Sequence, residues 1–187
     1  MRDLIVTENI TLDGVVDATE GWFFPADGDA VVDTSDLVEV VRQHREAADA
    51  FLVGRVTFEE MRGCWPLQTD DTTGITDYLD AVGKYVVSST LSEPGWEPTT
   101  ILRGPLEDEI RPLKDSPGQD IVTTGSIMLV HDLIRAGLVD EYRLFVYPLV
   151  LGRGRRLFPD RTRVPELRCI EARTFVAGTV LLRHRAA

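Results

Sequence analysis

The stretch "DIVTTGSIMLVHDLIRAGLVDEYRLFVYPLVL", residues 120–151, packs a strand, a helix and a second strand into a short length of chain. "DIVTT" (120–124) is short, apolar and β-branched, as a buried strand requires. Gly125 marks a turn, Ser126–Ala136 carries apolar residues at helical spacing, and Gly137 closes the helix. "YRLFVYPLVL" (142–151) is the longest strand candidate in the chain. A helix between two strands is the usual crossover of a parallel sheet, with both faces covered.

Working outward, the same pattern returns upstream in "FLVGRVTFEEM" (51–61), where the strand Ala50–Val53 meets a short helix over 56–62 at Gly54. Further strands are expected at Leu4–Thr11, Lys84–Ser88 and Thr99–Leu102, and a final pair at Leu167–Arg173 and Phe175–Arg183. Further helices are expected from the Asp33–Asp36 caps to about Ala48, at Ile75–Val82, and at Leu106–Leu113, with Pro112 limiting the last. Between the first strand and first helix runs a Gly- and Asp-rich loop, 12–30, with Trp22-Phe23-Phe24 at its middle. The order implies an α/β fold, a mostly parallel sheet with helices on both faces and an antiparallel C-terminal edge. No repeat or low-complexity tract divides the chain, so one domain is expected over 1–187.

The 187 residues carry 20 basic and 31 acidic side chains, a net charge of -11, which disfavours nucleic acid and anionic membranes as partners. No segment approaches the ~20 apolar residues of a membrane span. Cys64 and Cys169 lie far apart, and His44, His131 and His184 do not cluster, so no metal site is expected. Both cysteines read as reduced thiols of a cytoplasmic protein.

The two strand–helix junctions carry the chemistry. Helix N-termini present unpaired N–H groups and a positive dipole end, and open α/β sheets bind ligands at the carboxyl ends of their strands. "YVVSSTL" (85–91) adds Ser88, Ser89 and Thr90 at a third strand end. Arg55, at a helix start where a cation is normally disfavoured, either shares an anion with that end or pairs with Glu59 one turn on.

The chain resembles the dihydrofolate-reductase-like superfamily, and specifically stand-alone relatives of the C-terminal reductase domain of the riboflavin-biosynthesis deaminase/reductase. The resemblance is carried by "TLDG" (11–14), "LVGRVTFEEM" (52–61), "YVVSSTL" (85–91) and "GSIMLVHDLIRAGLVDEYRLFVYPLVLGRGRRLF" (125–158), in the family's order. It implies a dihydrofolate-reductase-like sheet and an NADPH cofactor. It places the adenosine phosphates at Gly54, Arg55, Thr57, Ser88, Ser89 and Thr90. It places the pyrophosphate at Thr124, Gly125, Ser126, Ile127 and Leu129, where family members often have Gly-Gly, sometimes with a cis peptide. It further implies a homodimer. Strand 142–151, apolar on both faces, is expected at a sheet edge that a partner covers. In "LGRGRRLF", Leu157 and Phe158 read as core, and Arg153, Arg155 and Arg156 as a solvated basic turn.

The substrate is expected between the 12–30 loop and the helix near 34–48, with Trp22, Phe23 and Phe24 as walls and the loop ordering on binding. Asp13 is the carboxylate to test as a proton donor, against a simpler role in its Asp-Gly turn; Asp33 and Asp36 read as caps. Between Arg2 and Arg42 there is no Lys, Arg or His. Thr7 stands where the riboflavin reductases supply a lysine, and no deaminase or zinc motif is present. The expected activity is hydride transfer from NADPH to a small, uncharged substrate. A riboflavin-pathway or pterin reductase, a non-catalytic NADPH-binding protein, and a structural homodimer stay open.

Overall fold

The computed structural model describes residues 1–17, 21–23, 33–71, 73–160 and 162–187. Leu4–Thr11 forms strand β1, with buried residues on both faces, as a strand inside a sheet has. It is followed by α1 (Ser35–Glu46), β2 (Ala48–Gly54), α2 (Arg55–Cys64), α3 (Ile75–Ala81), β3 (Gly83–Val87) and β4 (Thr99–Leu102). Then come α4 (Leu106–Asp115), β5 (Asp120–Thr123), α5 (Ile127–Arg135), β6 (Glu141–Tyr147), β7 (Leu167–Thr174) and β8 (Val180–Ala186). The 8-stranded sheet has the order β4-β3-β2-β5-β1-β6-β8-β7. Its first six members are parallel, and β8 runs antiparallel to both β6 and β7. The expected class is therefore the observed one.

Strand alternation divides the core. Leu4, Val6 and Ile10 of β1, with Ala50 and Leu52 of β2, face Ile110 of α4 and Leu129, Val130 and Leu133 of α5. The intervening Phe51 and Val53 face Phe58 of α2 and Leu79 of α3 on the other side. On that side too, Val40 of α1 packs with Phe145, Phe175 and Leu181. The chain winds from β1 outward to β4, then returns to lay β5 between β2 and β1. That reversal opens a crevice beyond the carboxyl ends of β2, β5 and β1, the usual ligand position in open α/β sheets.

Several expectations are corrected. β6 ends at Tyr147 rather than Leu151, because Pro148 has no N–H to continue the ladder. It is also no edge: β1 and β8 flank it, so its double-sided apolarity is satisfied within one chain. The edge argument for a dimer accordingly falls. Nor is β6 wholly apolar, since Glu141 and Arg143 are buried and paired at 2.7 Å, with Arg183 of β8 bonding the same Glu141 at 2.8 Å. Pro112 lies inside α4, which runs on to Asp115. The final hairpin turns over 175–179, later than the expected Thr174. Asp33 does not cap α1 from the N-cap position, which Thr34 holds; it accepts the Ser35 N–H at 2.9 Å.

Phe58 fixes α2, and hence the start of the candidate site, against the sheet. Its ring is 1% exposed and lies 5.9 Å from that of Trp96. Phe58→Ala is expected to lower folding stability by about 3–5 kcal/mol, the usual cost of an aromatic-to-alanine cavity, as read by a urea melt.

Candidate functional site

The two strand–helix junctions are tied together by side chains. The Gly54 N–H, at the end of β2, donates to Ser126 Oγ at 3.0 Å, and the Ser126 N–H donates to Thr57 Oγ1 at 3.1 Å. Ser126 stands in the left-handed region at φ 46, ψ 40, next to Gly125 at φ 62. That conformation costs a non-glycine residue roughly 1–2 kcal/mol, and the two hydrogen bonds hold it. Glycine is favoured at 125, where a Cβ would be strained by the positive φ and would meet Thr57 Cγ2 at 3.3 Å. Gly54 is extended, at φ -80, with room for a Cβ, so no backbone strain explains it. The turn is built from trans peptides; the cis bond among the described residues is Glu97–Pro98.

Around this tie two cavities open at the carboxyl ends of the strands, sharing Arg55 and Val87 as common walls. The larger, about 850 Å³, is lined by Gly54, Arg55 and Thr57 at one junction and Thr124, Gly125, Ser126, Ile127 and Leu129 at the other. The smaller, about 390 Å³, is lined by Ser88, Ser89 and Thr90 after β3 and by Arg103 and Gly104 after β4. All eleven residues expected at the cofactor site thus border these two adjoining cavities, which run across the ends of β4, β3, β2, β5 and β1. Arg55 also makes the alternative pair, its Nη1 reaching Glu59 at 2.7 Å. Such an exposed pair contributes a few tenths of a kcal/mol and leaves most of the guanidinium fork free. Ser88 Oγ accepts the N–H groups of Thr90 and Leu91 at 3.2 and 2.9 Å, which sets the turn and leaves its hydroxyl proton to donate.

The substrate-side expectations fare differently. Trp22 is not on the cavity wall; its Nε1 donates to the Asp17 carbonyl at 2.8 Å and its ring packs edge-on against Tyr147. Phe23 lines the cavity, and Phe24 lies outside the described residues with most of the 12–30 loop. The facing wall is α2 and the turn after it (Glu60, Met61, Trp65), not α1, none of whose residues borders the cavity. Asp13 is also absent from that lining. Its carboxylate takes the Thr11 hydroxyl at 2.6 Å and the Gly152 N–H at 2.9 Å. The Thr11 hydrogen bond first, and these backbone donors after it, hold its pKa below the usual carboxylate range. Asp13 is therefore a tether for the 151–152 turn and a poor proton donor.

Three contributors escape a linear reading. Arg103 puts a second guanidinium beside Ser89, anchored by its Nη2 donating to the Leu91 carbonyl at 2.6 Å. Arg155 is no free member of a basic turn: it lines the large cavity and pairs with Asp17 at 3.0 Å. Phe158, expected in the core, is 38% exposed, whereas Leu157 is buried as expected. The third contributor is Glu8 of β1, 4% exposed and on the cavity lining. Burial drives its pKa well above the ordinary carboxyl value, with the Gly125 backbone pulling the other way. Strand alternation puts it on the face of Val6 and Ile10, which spells burial only once β1 is seen between β5 and β6.

The comparisons with known proteins agree with this architecture. The family model for the RibD C-terminal domain matches residues 2–181. An uncharacterized Bacillus subtilis protein, YyaP, is 32% identical over 96% of this chain and 92% of its own. A putative riboflavin biosynthesis protein from Shewanella has the same dihydrofolate-reductase-like fold, with a TM-score of 0.73 at 20% identity over 99% of each chain. A pyrimidine reductase-like protein from Corynebacterium diphtheriae gives 0.62 at 13% identity, over 100% of this chain and 92% of its own.

A raised carboxyl pKa makes stability depend on pH. Above the ordinary glutamate value the unfolded chain releases the Glu8 proton and the folded chain keeps it. Stability from this group is full below that value and declines as pH rises toward the folded pKa. Its slope reaches about 1.4 kcal/mol per pH unit. Glu8→Gln is expected to remove this component, so urea melts from about pH 5 to about pH 8 should show the variant gaining on the wild type as pH rises.

Proposed function

The chain belongs to the family of the RibD C-terminal domain, and from that membership we propose that it is an NADPH-dependent reductase of a small, uncharged organic substrate. The single observation that supports this most is the pair of adjoining cavities at the sheet's switch point, bordered by two helix N-termini, by the hydroxyls of Thr57, Ser88, Ser89, Thr90, Thr124 and Ser126, and by Arg55 and Arg103, with Arg155 at the far end paired to Asp17. That donor set fits a dinucleotide with a terminal phosphate. The N–H groups at the start of α5 and the Thr124-Gly125-Ser126 turn would hold the pyrophosphate. Arg55, Arg103, Ser88, Ser89 and Thr90 would hold the ribose phosphate. The bound cofactor supplies a hydride; the protein orients it, and Phe23, Met61 and Trp65 keep water from the substrate end.

The substrate class rests on charge. Asp17, Glu60 and Asp132 border the larger cavity, and Arg155 is already paired with Asp17, so a phosphorylated substrate meets net negative charge there. A phosphorylated pyrimidine is thus the weaker candidate. The family also supports a homodimer in the cytoplasm, each chain a single reductase domain. The pair need not be made by β6, which the sheet already covers.

If Arg55 meets the ribose phosphate, the wild type binds NADPH more tightly than NADH. Arg55→Ala is expected to weaken NADPH by about 10–100-fold, the worth of a charge-assisted hydrogen bond, and to leave NADH nearly unchanged. Arg103→Ala should act in the same direction. Isothermal titration reads both; equal wild-type affinities for the two cofactors, or equal losses in the variants, contradict the assignment.

A further inference from the structure

Glu8 is an unusual residue for its position. β1 is a central strand, and the neighbours of Glu8 on its face are Val6 and Ile10, with Leu144 opposite on β6 and Ile127 and Leu129 of α5 over it. A leucine or valine would pack there at no cost in desolvation. A carboxyl is found instead, and its Oε1 is buried without a hydrogen-bond partner among the described residues. Thr123 Oγ1, on the same face of neighbouring β5, is likewise buried and unpartnered. Yet Glu8 is not sealed in the core, since it forms part of the wall of the large cavity. A carboxyl perturbed by burial at the wall of a cleft is a functional-site candidate.

The charged groups that line this cavity with Glu8 are Arg55 and Glu60 of α2, Asp132 of α5, and Asp17 and Arg155 of the loops. On the strands beside it, the residues sharing its face are Thr123 of β5 and Leu144 of β6, both uncharged. Burial is the cause that raises its pKa, opposed by a hydrogen bond from the Gly125 backbone, and among the described residues no cation offsets it. Burial thus favours the neutral form of Glu8, whose carboxyl lies on a cleft whose walls include Val16, Phe23, Met61 and Trp65. A neutral acid among apolar walls suits a planar, uncharged ligand that offers a heteroatom acceptor.

We infer that Glu8 is the catalytic acid of this cleft, protonating the heteroatom of a carbonyl or imine substrate as its carbon is reduced; this rests on the reductase reading above. In the step, the Glu8 O–H bond breaks and a new O–H or N–H bond forms on the substrate. The substrate carbon takes a hydride from the reduced nicotinamide nucleotide, so the substrate gains two electrons and the nucleotide loses two. The Glu8 carboxylate then recovers its proton from water once product leaves. General-acid assistance of this kind contributes about 10²–10⁴-fold in rate.

The test uses the full chain, NADPH, and two probes, the imine dihydroisoquinoline and the carbonyl phenanthrenequinone. Infrared difference spectra of wild type against Glu8→Gln are expected to show a protonated-carboxyl band at neutral pH that the variant lacks. Glu8→Gln should bind NADPH within about threefold of wild type and lose about 100-fold or more in turnover. The wild-type rate should fall on the alkaline side, Glu8→Asp should keep that limb with part of the rate, and Glu8→Gln should lose it. An ionised Glu8 in the infrared spectrum, or a Glu8→Gln variant turning over within about threefold of wild type, overturns the inference. A wild type that binds NADPH but reduces neither probe overturns the carbonyl-or-imine assignment alone. A wild type that binds no NADPH overturns the reductase reading, and the catalytic acid with it.

Discussion

The hydrogen bonds from Gly54 to Ser126 and from Ser126 to Thr57 join two helices that the sequence places far apart. Pairing of β2 with β5 brings the starts of α2 and α5 together, and these bonds fix how the two turns meet. With them, Ser126 is held in a conformation that residues other than glycine rarely adopt. The turn Thr124-Gly125-Ser126 then stands next to the start of α2, beside two cavities that share Arg55 and Val87 as walls. Because β5 is laid between β2 and β1, this tie also sits at the point where the sheet's winding reverses. The fold puts the junctions side by side, and three small residues set their distance.

Much of this was legible in the chain. The "FLVGRVT" and "IVTTGS" junctions and the "VVSST" strand end name the groove's floor, because strand, turn and helix start are written locally in the sequence. What was not legible depended on strand order. β6 reads as an overlong apolar edge until β8 is known to pair on its outer side. Arg103 follows β4 in "ILRG" much as Arg55 follows β2, yet its part appears only once β4 is seen beside β3. Glu8 reads as one polar residue in an alternating strand. Only its central position, with α5 above it, turns it into a buried acid. Asp13 misled for the opposite reason, since its partners at Leu151 and Gly152 are distant in sequence and bind it as a turn acceptor.

The groove also separates two kinds of electrostatics inside an acidic protein. At one end, Arg55 and Arg103 concentrate positive charge where β3 and β4 finish. At the other, burial raises the Glu8 pKa and so favours its neutral form, while Arg155 is balanced by Asp17. A ligand spanning the trough meets cations and N–H donors first and an apolar, acid-floored cavity last. That polarity suits a molecule with phosphates at one end and a neutral ring at the other.

The most direct measurement is a crystal structure of the protein soaked with NADPH. The account predicts the pyrophosphate against Thr124–Ile127, the ribose phosphate between Arg55 and Arg103, and the nicotinamide ring toward Glu8 and Phe23. A cofactor bound away from the Gly54–Ser126 tie, or in the reverse direction along the groove, would contradict it.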